Sequence, residues 1–148
     1  MIRPTWYEYF LSMAKLAQTR STCLRRQVGA VIIKDNRVIS TGYNGAAKGL
    51  PHCDTIGCLR VELNIPSGER AELCRAVHAE QNAIVQAAFF GLSTEGSTIY
   101  VTHQPCIICA KLIIQAGIKR VIYIEGYNDK YSLQMLEDAK IEVNQITI

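Results

Sequence analysis

Two short runs of the sequence carry residue types that bind metals and transfer protons. The first run is His78-Ala79-Glu80, and the second is Pro105-Cys106-Ile107-Ile108-Cys109. One histidine nitrogen and two cysteine sulfurs make three ligands, and catalytic zinc typically takes three protein ligands and leaves a fourth position open. Glu80 neighbours these ligands without being needed as one, which suits a proton shuttle. The runs predict a catalytic zinc site; a closed structural zinc would need a fourth ligand, and none stands beside them.

Each run falls where the sequence predicts the start of a helix. Apolar residues at helical spacing follow His78 as far as the stop signal Gly91, and a second helix is predicted from Cys106 to Ala116. Cys106 and Cys109 are one turn apart, so both sulfurs can face one ion. Backbone N–H groups and the positive end of the helix dipole would point at the metal region and favour the thiolate form of a cysteine.

The remaining elements predict an α/β domain that carries both runs. Further helices are predicted over residues 5–19 and 132–139, and strands over 28–33, 38–43, 98–102, 120–124 and 141–143. The order αββαβαβαβ predicts a layered domain whose last three strands are parallel, because helices connect them. Residues 44–70 are rich in glycine and proline and predict a long loop, which is usually functional or held in place. The length of 148 residues predicts a single domain, 1–148.

Charge and composition restrict the partners. The formal charge of +3 fits an anionic small molecule and is too small to indicate a nucleic-acid partner. No apolar run is long enough to span a membrane, and the N-terminus lacks the pattern of a signal peptide, so we expect a cytoplasmic protein without a membrane partner. In that reducing compartment the six cysteines are expected to be metal ligands or free thiols before disulfides.

Four cysteines lie outside the two runs. Cys23 lies between the first predicted helix and strand, Cys53 and Cys58 lie in the long loop, and Cys74 comes just before the catalytic helix. Four thiolates would complete a tetrahedral structural zinc site and hold the loop in place. We therefore expect a second zinc here, with His52 able to replace one thiolate; buried free cysteines are the alternative.

The sequence resembles the cytidine/deoxycytidylate deaminase superfamily, and more closely its deoxycytidylate (dCMP) deaminases, including bacterial competence-operon members. The order H-x-E then P-C-x-x-C is the signature of the zinc nucleobase deaminases. Other matching stretches cover residues 20–23, 28–31, 41–45, 78–84, 100–111 and 115–120. The resemblance implies a cytidine-deaminase-like three-layer α/β/α fold with a mixed five-stranded sheet flanked by helices. It also implies a homo-oligomer, a hexamer more often than a dimer, and a second metal in the region of the four cysteines.

The resemblance further implies hydrolytic deamination of dCMP to dUMP with release of ammonia, a step that feeds dTMP synthesis. Glu80 would take a proton from zinc-bound water and relay protons to N3 and to the leaving amine of the pyrimidine. Implied substrate contacts are Asn44 at the sugar, Ala79, and Tyr127 near the nucleotide; a plain turn residue stays open for Asn44, and a packing aromatic for Tyr127. The effectors would be dCTP, which activates, and dTTP, which inhibits.

A monophosphate substrate needs a cation beside the site. Arg26 is the first candidate and Lys48 the second, and a guanidinium group matches phosphate with two parallel hydrogen bonds. Because side chains alternate at the entry to a strand, we expect only one of Arg25 and Arg26 to point inward. No catalytic role is expected for His103.

Two positions depart from the family pattern. Ala47 stands where a proline is common, and Gln104 stands where a small or aromatic residue is more usual; both are expected near the nucleotide. Three other functions stay open. A tRNA adenosine deaminase would want a more basic surface, a nucleoside deaminase would prefer substrates without phosphate, and a non-catalytic zinc- and nucleotide-binding protein would not need Glu80.

Overall fold

The computed structural model describes residues 1–148. Six α-helices and seven strands, numbered in chain order, account for most of the chain, and none of the helices combines the length and apolar character needed to cross a membrane. The helices are α1 (Trp6–Gln18), α2 (Cys53–Ile56), α3 (Leu59–Glu62), α4 (Ala79–Phe89), α5 (Ile107–Gln115) and α6 (Lys130–Asp138). The strands are β1 (Gly29–Lys34), β2 (Arg37–Tyr43), β3 (Gly45–Ala46), β4 (Ala76–Val77), β5 (Thr98–His103), β6 (Arg120–Glu125) and β7 (Glu142–Gln145).

Five strands form one mixed sheet in the order β2-β1-β5-β6-β7. Strand β1 is antiparallel to both β2 and β5, whereas β5, β6 and β7 run parallel to one another. The helices α5 and α6 connect the parallel strands, as crossovers must. The predicted mixed five-stranded sheet and its three parallel late strands are therefore confirmed.

Helices cover both faces of this sheet because the side chains of each strand alternate between the faces. On one face, Val31 and Ile33 of β1 pack against Phe10 and Leu11 of α1. On the other face, Ile32 belongs to a larger core to which α4, α5 and α6 all contribute. The architecture is thus three layers, with α1 alone on one side and the two helices that begin at the zinc-binding runs on the other.

Helix α4 lies unusually close to the sheet. A methyl group added at Gly42 would stand 2.2 Å from the backbone oxygen of Ala79, so only glycine fits at that position. The Ser40 hydroxyl of the same strand donates a hydrogen bond to the backbone oxygen of Ala83 at 2.7 Å. Ala79, Ala83 and Ala87 form the buried face of the helix. Small residues on both elements therefore fix the start of α4 against β2.

Residues 44–76 are more ordered than the predicted loop. They contain α2 and α3, each a single turn, and a small antiparallel sheet in which Gly45 pairs with Val77 and Ala46 with Ala76. Side chains close the connections between them: Arg60 donates to the backbone oxygen of Glu69 and Arg75 to that of Gly57, both at 2.9 Å. These elements are too short to show a periodic pattern, so the sequence predicted only a long loop over residues 44–70, without α2, α3 or β3.

Candidate active site

The two zinc-binding runs occupy equivalent places in the fold. His78 is the residue immediately before α4, and Cys106 is the residue immediately before α5; both have extended backbone angles. The Gln81 side chain accepts a hydrogen bond from the His78 backbone N–H at 2.8 Å and secures the helix start. Because α4 and α5 lie on the same face of the sheet, their first residues meet.

The distances among the three predicted ligands suit zinc. The Nδ1 atom of His78 is 3.3 Å from the Cys109 sulfur and 3.6 Å from the Cys106 sulfur. Around a tetrahedral zinc with bonds of about 2.0 to 2.3 Å, neighbouring ligand atoms stand about 3.5 Å apart. All three ligand atoms lie within 4.8 Å of one another. The structure therefore brings His78, Cys106 and Cys109 together at the spacing that the ion requires.

The protonation of the two sulfurs also fits a cation. The pKa of Cys106 is lowered to about 4, chiefly because the Cys109 thiol donates a hydrogen bond to it. The same hydrogen bond raises the pKa of Cys109, and burial adds to the effect. The two sulfurs thus hold one proton between them, and a divalent cation in that position stabilises both as thiolates. Zinc matches this donor set of one nitrogen and two sulfurs.

Glu80 lies in the first turn of α4 with only 5% of its surface exposed. Burial raises the pKa of its carboxyl group above the usual value, and no arginine or lysine forms an ion pair with it. A carboxyl group with a raised pKa can take up and release protons near neutral pH. Glu80 therefore has the environment of a general acid–base group beside the metal ligands.

One cavity of about 340 Å³ connects this metal region with the predicted substrate residues. Glu80 lies in its wall together with His78 and Cys106, and Cys109 lies behind them in the buried part of α5. The predicted substrate contacts Arg26, Asn44, Ala79 and Tyr127 all line the same cavity. Its volume falls in the range of about 300–1,000 Å³ that is typical of small-molecule sites.

The side chain of Asn44 makes hydrogen bonds to neighbouring residues within the wall of this cavity. Its Oδ1 atom accepts hydrogen bonds from the Val28 backbone N–H at 2.8 Å and from the Ser21 hydroxyl at 2.6 Å. Its Nδ2 atom donates to the backbone oxygen of Arg26 at 2.7 Å. A side-chain amide has two N–H donors, so one donor remains. Asn44 thus orders the segment that carries Arg26 and keeps a single N–H for another partner.

Arg26 lies against Tyr127, with the guanidinium carbon 4.8 Å from the centroid of the tyrosine ring. This cation–π contact orients a positive charge at the cavity wall. Arg25 lines the cavity as well, so the prediction that only one of the two arginines would point inward was wrong. Both residues lie before the start of β1, where the alternation of a strand does not apply.

Lys48 does not supply the second cation. Its amino group lies 5.6 Å from the centroid of the Phe89 ring, and Lys48 is absent from the cavity wall, as is Ala47. The cavity wall also contains Arg60, His103 and Gln104. The sequence analysis predicted no substrate contact for Arg60 or His103, and it expected Gln104 only to lie near the nucleotide. No sequence pattern indicated that Arg60 would reach the cavity, because it lies in a segment without helical or strand periodicity.

His103 is held by two neighbours. Its Nε2 atom is 2.7 Å from a carboxylate oxygen of Glu125, and its Nδ1 atom is 2.8 Å from the Thr102 hydroxyl. Burial, and then the positive charge of Arg26, lower the pKa of His103 and together outweigh the opposing effect of Glu125.

The four cysteines of the expected second zinc site lie near one another, but their sulfurs do not form a group at the spacing of zinc ligands. Burial raises the pKa of Cys53, and the charges of Cys23, Cys74 and Cys58 raise it further, which places the other three around it. The group of side chains at metal-binding spacing is His78, Cys106 and Cys109, and it includes none of these four. All four are free thiols, and Cys53 and Cys58 are buried. His52 is engaged with the Thr22 hydroxyl at 2.8 Å.

Comparison with known proteins places the chain in a family. The family model for the cytidine and deoxycytidylate deaminase zinc-binding region matches residues 4–125. ComE operon protein 2 of Bacillus subtilis is 44% identical over 149 residues, which cover 100% of this chain and 75% of that protein. The deoxycytidylate deaminase of Schizosaccharomyces pombe is 39% identical over 146 residues, 97% of this chain, but the chain spans only 44% of that enzyme.

Comparison with solved structures supports the same family. The crystal structure of the dCMP deaminase from the cyanophage S-TIM5 in complex with dCMP and dUMP superposes with a TM-score of 0.82 at 31% identity, covering 99% of this chain and 100% of the phage chain. The predicted cytidine-deaminase-like fold is therefore confirmed. With a family model that spans most of its length, relatives at this level of identity and a His-Cys-Cys zinc site, the chain belongs to the cytidine and deoxycytidylate deaminase family.

Proposed function

We propose that this chain catalyses the zinc-dependent hydrolytic deamination of dCMP to dUMP. The observation that carries the proposal is the arrangement of one cavity, with Glu80, His78 and Cys106 in its wall and arginines among the other wall residues. Glu80 and the metal ligands suit hydrolysis of an exocyclic amine, and the arginines suit binding of a phosphate. The relatives named deoxycytidylate deaminase support the same substrate.

Glu80 is the residue that moves protons in this reaction. Zinc held by His78, Cys106 and Cys109 supplies a Lewis acid that makes water nucleophilic near neutral pH. Glu80 would accept one proton from the attacking water and donate it to N3, then take the second proton from the hydroxyl group now on C4 and deliver it to the departing amine. A C4–O bond forms, the C4–N bond breaks, and dUMP and ammonia leave. Because burial already favours the protonated carboxyl, Glu80 can carry the proton between these steps.

Three residues would orient the nucleotide. Asn44 would donate its remaining amide N–H to the sugar. Ala79 is the first residue of α4, where the backbone N–H has no acceptor within the helix and can bind an oxygen of the base. Arg26, held against Tyr127, would bind the phosphate.

We further propose a second, structural zinc bound by Cys23, Cys53, Cys58 and Cys74. Supporting evidence is that the three other thiols surround Cys53, and that closing them on an ion would bind α2 to the start of β4. Binding requires the four sulfurs to move to the spacing of zinc ligands.

We also propose a homo-oligomer, a hexamer or a dimer, that acts in the cytoplasm, supplies dUMP for dTMP synthesis, is activated by dCTP and is inhibited by dTTP. Support for association comes from the exposed apolar side chains Val85, Phe89 and Phe90 at the end of α4. A monomer would leave this surface in water.

The experiment is ammonia release by the purified protein from dCMP, CMP, deoxycytidine, cytidine and tRNA adenosine, with and without dCTP. We expect dCMP to be the best substrate and the Glu80→Gln variant, purified in parallel, to show no turnover above background. Faster turnover of deoxycytidine would make the protein a nucleoside deaminase. Turnover of tRNA adenosine alone, or of none of the five, would refute the proposal.

A further inference from the structure

The cavity wall carries more positive charge than the protein itself neutralises. Arg25, Arg26 and Arg60 all line it. The ion pairs of the structure are Arg70–Glu72, His103–Glu125 and Arg120–Glu142, so none of these three arginines has a carboxylate partner. An unpaired group of cations in a concave site attracts an anionic ligand.

The acidic residues of the wall do not change this balance. They are Glu80 and Asp129. Glu80 belongs to the first turn of α4, beside the metal ligand His78. The Asp129 carboxylate accepts hydrogen bonds from the backbone N–H groups of Tyr131 and Ser132, both at 3.1 Å, and of Ile107 at 3.2 Å. Neither of these carboxylates forms an ion pair with Arg26 or Arg60.

Arg60 is the member of this group whose position in the chain is unexpected. It belongs to α3, in the segment that links β3 to β4, whereas Arg25 and Arg26 precede β1. One of its terminal nitrogens is fixed by the backbone oxygen of Glu69 at 2.9 Å. Its Nε atom is buried and has no hydrogen-bond partner. A buried donor without a partner costs free energy unless a ligand satisfies it.

Arg60 also lies near the reactive end of the cavity. It lines the same cavity as His78, one of the metal ligands. The loop that follows it contributes Ser67 and Gly68 to the same wall, and a methyl group at Gly68 would stand 3.5 Å from the Tyr127 hydroxyl. Arg60, Ser67 and Gly68 thus line the same cavity as Arg26, and Gly68 lies against Tyr127.

We propose that Arg60 is a specificity-determining residue that binds the substrate phosphate together with Arg26. On this view the segment between β3 and β4 is what selects a nucleoside monophosphate over a nucleoside. The inference rests on the proposed function, because the phosphate is that of dCMP. A phosphate dianion suits two guanidinium groups on separate segments, since each can make charge-assisted, paired hydrogen bonds.

The test compares how tightly dUMP and deoxyuridine inhibit dCMP turnover in the wild-type protein and in Arg60→Gln. These two inhibitors differ only in the phosphate. We expect the inhibition constant of dUMP to rise about 10- to 100-fold in the variant, the usual range for one charge-assisted contact. The inhibition constant of deoxyuridine should stay within about threefold of its wild-type value, a range that corresponds to less than one hydrogen bond. Arg70→Gln is the matched control, because Arg70 is exposed, pairs with Glu72 and does not line the cavity.

A rise of less than about threefold for dUMP, or an equal rise for both inhibitors, would overturn the inference and leave Arg60 only a role in holding the Glu69 carbonyl. If Arg60→Gln does not fold, Arg60→Lys takes its place. Lysine keeps the charge but not the paired geometry, so a selective loss of dUMP binding is still expected, and no loss counts against the proposal. Absence of ammonia from dCMP in the wild-type protein would instead refute the proposed function, which keeps the two failures apart.

Discussion

The side-chain oxygen of Gln104 accepts a hydrogen bond from the backbone N–H of Tyr127 at 3.1 Å. The Nε2 atom of the same side chain donates to the backbone oxygen of Asp129 at 2.8 Å and to the Ser132 hydroxyl at 3.1 Å. Gln104 is 5% exposed. One buried amide therefore shapes the turn between β6 and α6, and that turn places the Tyr127 ring under Arg26.

Replacing Gln104 by leucine should weaken both the fold and nucleotide binding. The Tyr127 N–H and the Asp129 carbonyl would lose their partner, at a cost of about 1–3 kcal/mol in the free energy of unfolding. Because the change misplaces Tyr127 and not the metal ligands, KM for dCMP should rise more than kcat falls. Urea unfolding and steady-state kinetics measure the two effects. Gln134→Leu, in the exposed part of α6, is the control, and equal behaviour of the two variants would contradict the prediction.

Glu80→Gln should retain zinc and lose turnover by about 10²- to 10⁴-fold, the usual contribution of a general acid–base group. The amide keeps the size of the carboxyl but cannot carry a proton. His78→Ala and Cys106→Ala should lose both zinc and activity, because each removes a ligand. Metal analysis beside a rate assay distinguishes the two classes. Loss of zinc from Glu80→Gln would show that the carboxylate is a ligand.

The proposal of a second, structural zinc predicts two zinc ions per chain in protein purified without chelators. Cys53→Ser should reduce this to one and lower the melting temperature, while Cys106→Ala should also reduce it to one but remove activity entirely. Elemental analysis and thermal unfolding report both properties. A single zinc per wild-type chain would leave the four cysteines as buried free thiols.

His103 should make the protein less stable as pH falls. Its pKa is lowered in the folded state, so the unfolded chain binds more protons at pH values below about 6.5. The contribution of His103 is complete above that pH and is lost as pH falls through the folded-state pKa. His103→Gln should therefore lose less unfolding free energy than the wild type between about pH 7.5 and 5.5. Urea denaturation at both pH values tests this, and parallel losses in the two proteins would refute it.

Sequence patterns predicted the structure correctly in two cases: long elements with a periodic pattern, and sites built from short runs of residues. The five main strands and four longer helices follow from alternation and helical spacing, and the metal site follows from two runs that each start a helix. In both cases the pattern that identifies an element lies within a few residues, even though the elements themselves meet over longer distances. His78 and Cys106 meet because their helices share one face of the sheet, a relation already contained in the predicted order of elements.

Contacts between distant short segments could not be predicted in the same way. Alternation was applied to Arg25 and Arg26, but a bend before β1 places both in the wall. Lys48 was chosen for its charge, yet it lies over Phe89. Arg60 belongs to a helix of one turn that has no periodicity to detect. The position of Arg60 is instead held by its hydrogen bond to the backbone oxygen of Glu69, nine residues along the chain.

The pairing of β1 with β5 has a consequence for how the chain acquires its metal. Ala30 pairs with Val101, and the core on that face joins both strands to the first turns of α4 and α5. The ligands converge only where these long-range contacts are made, so we expect zinc to bind after the chain has passed its folding barrier. The ion should therefore leave the refolding rate unchanged and slow the unfolding rate, which stopped-flow measurements with and without zinc can establish. For this enzyme, zinc would lengthen the lifetime of the native state without hastening its formation.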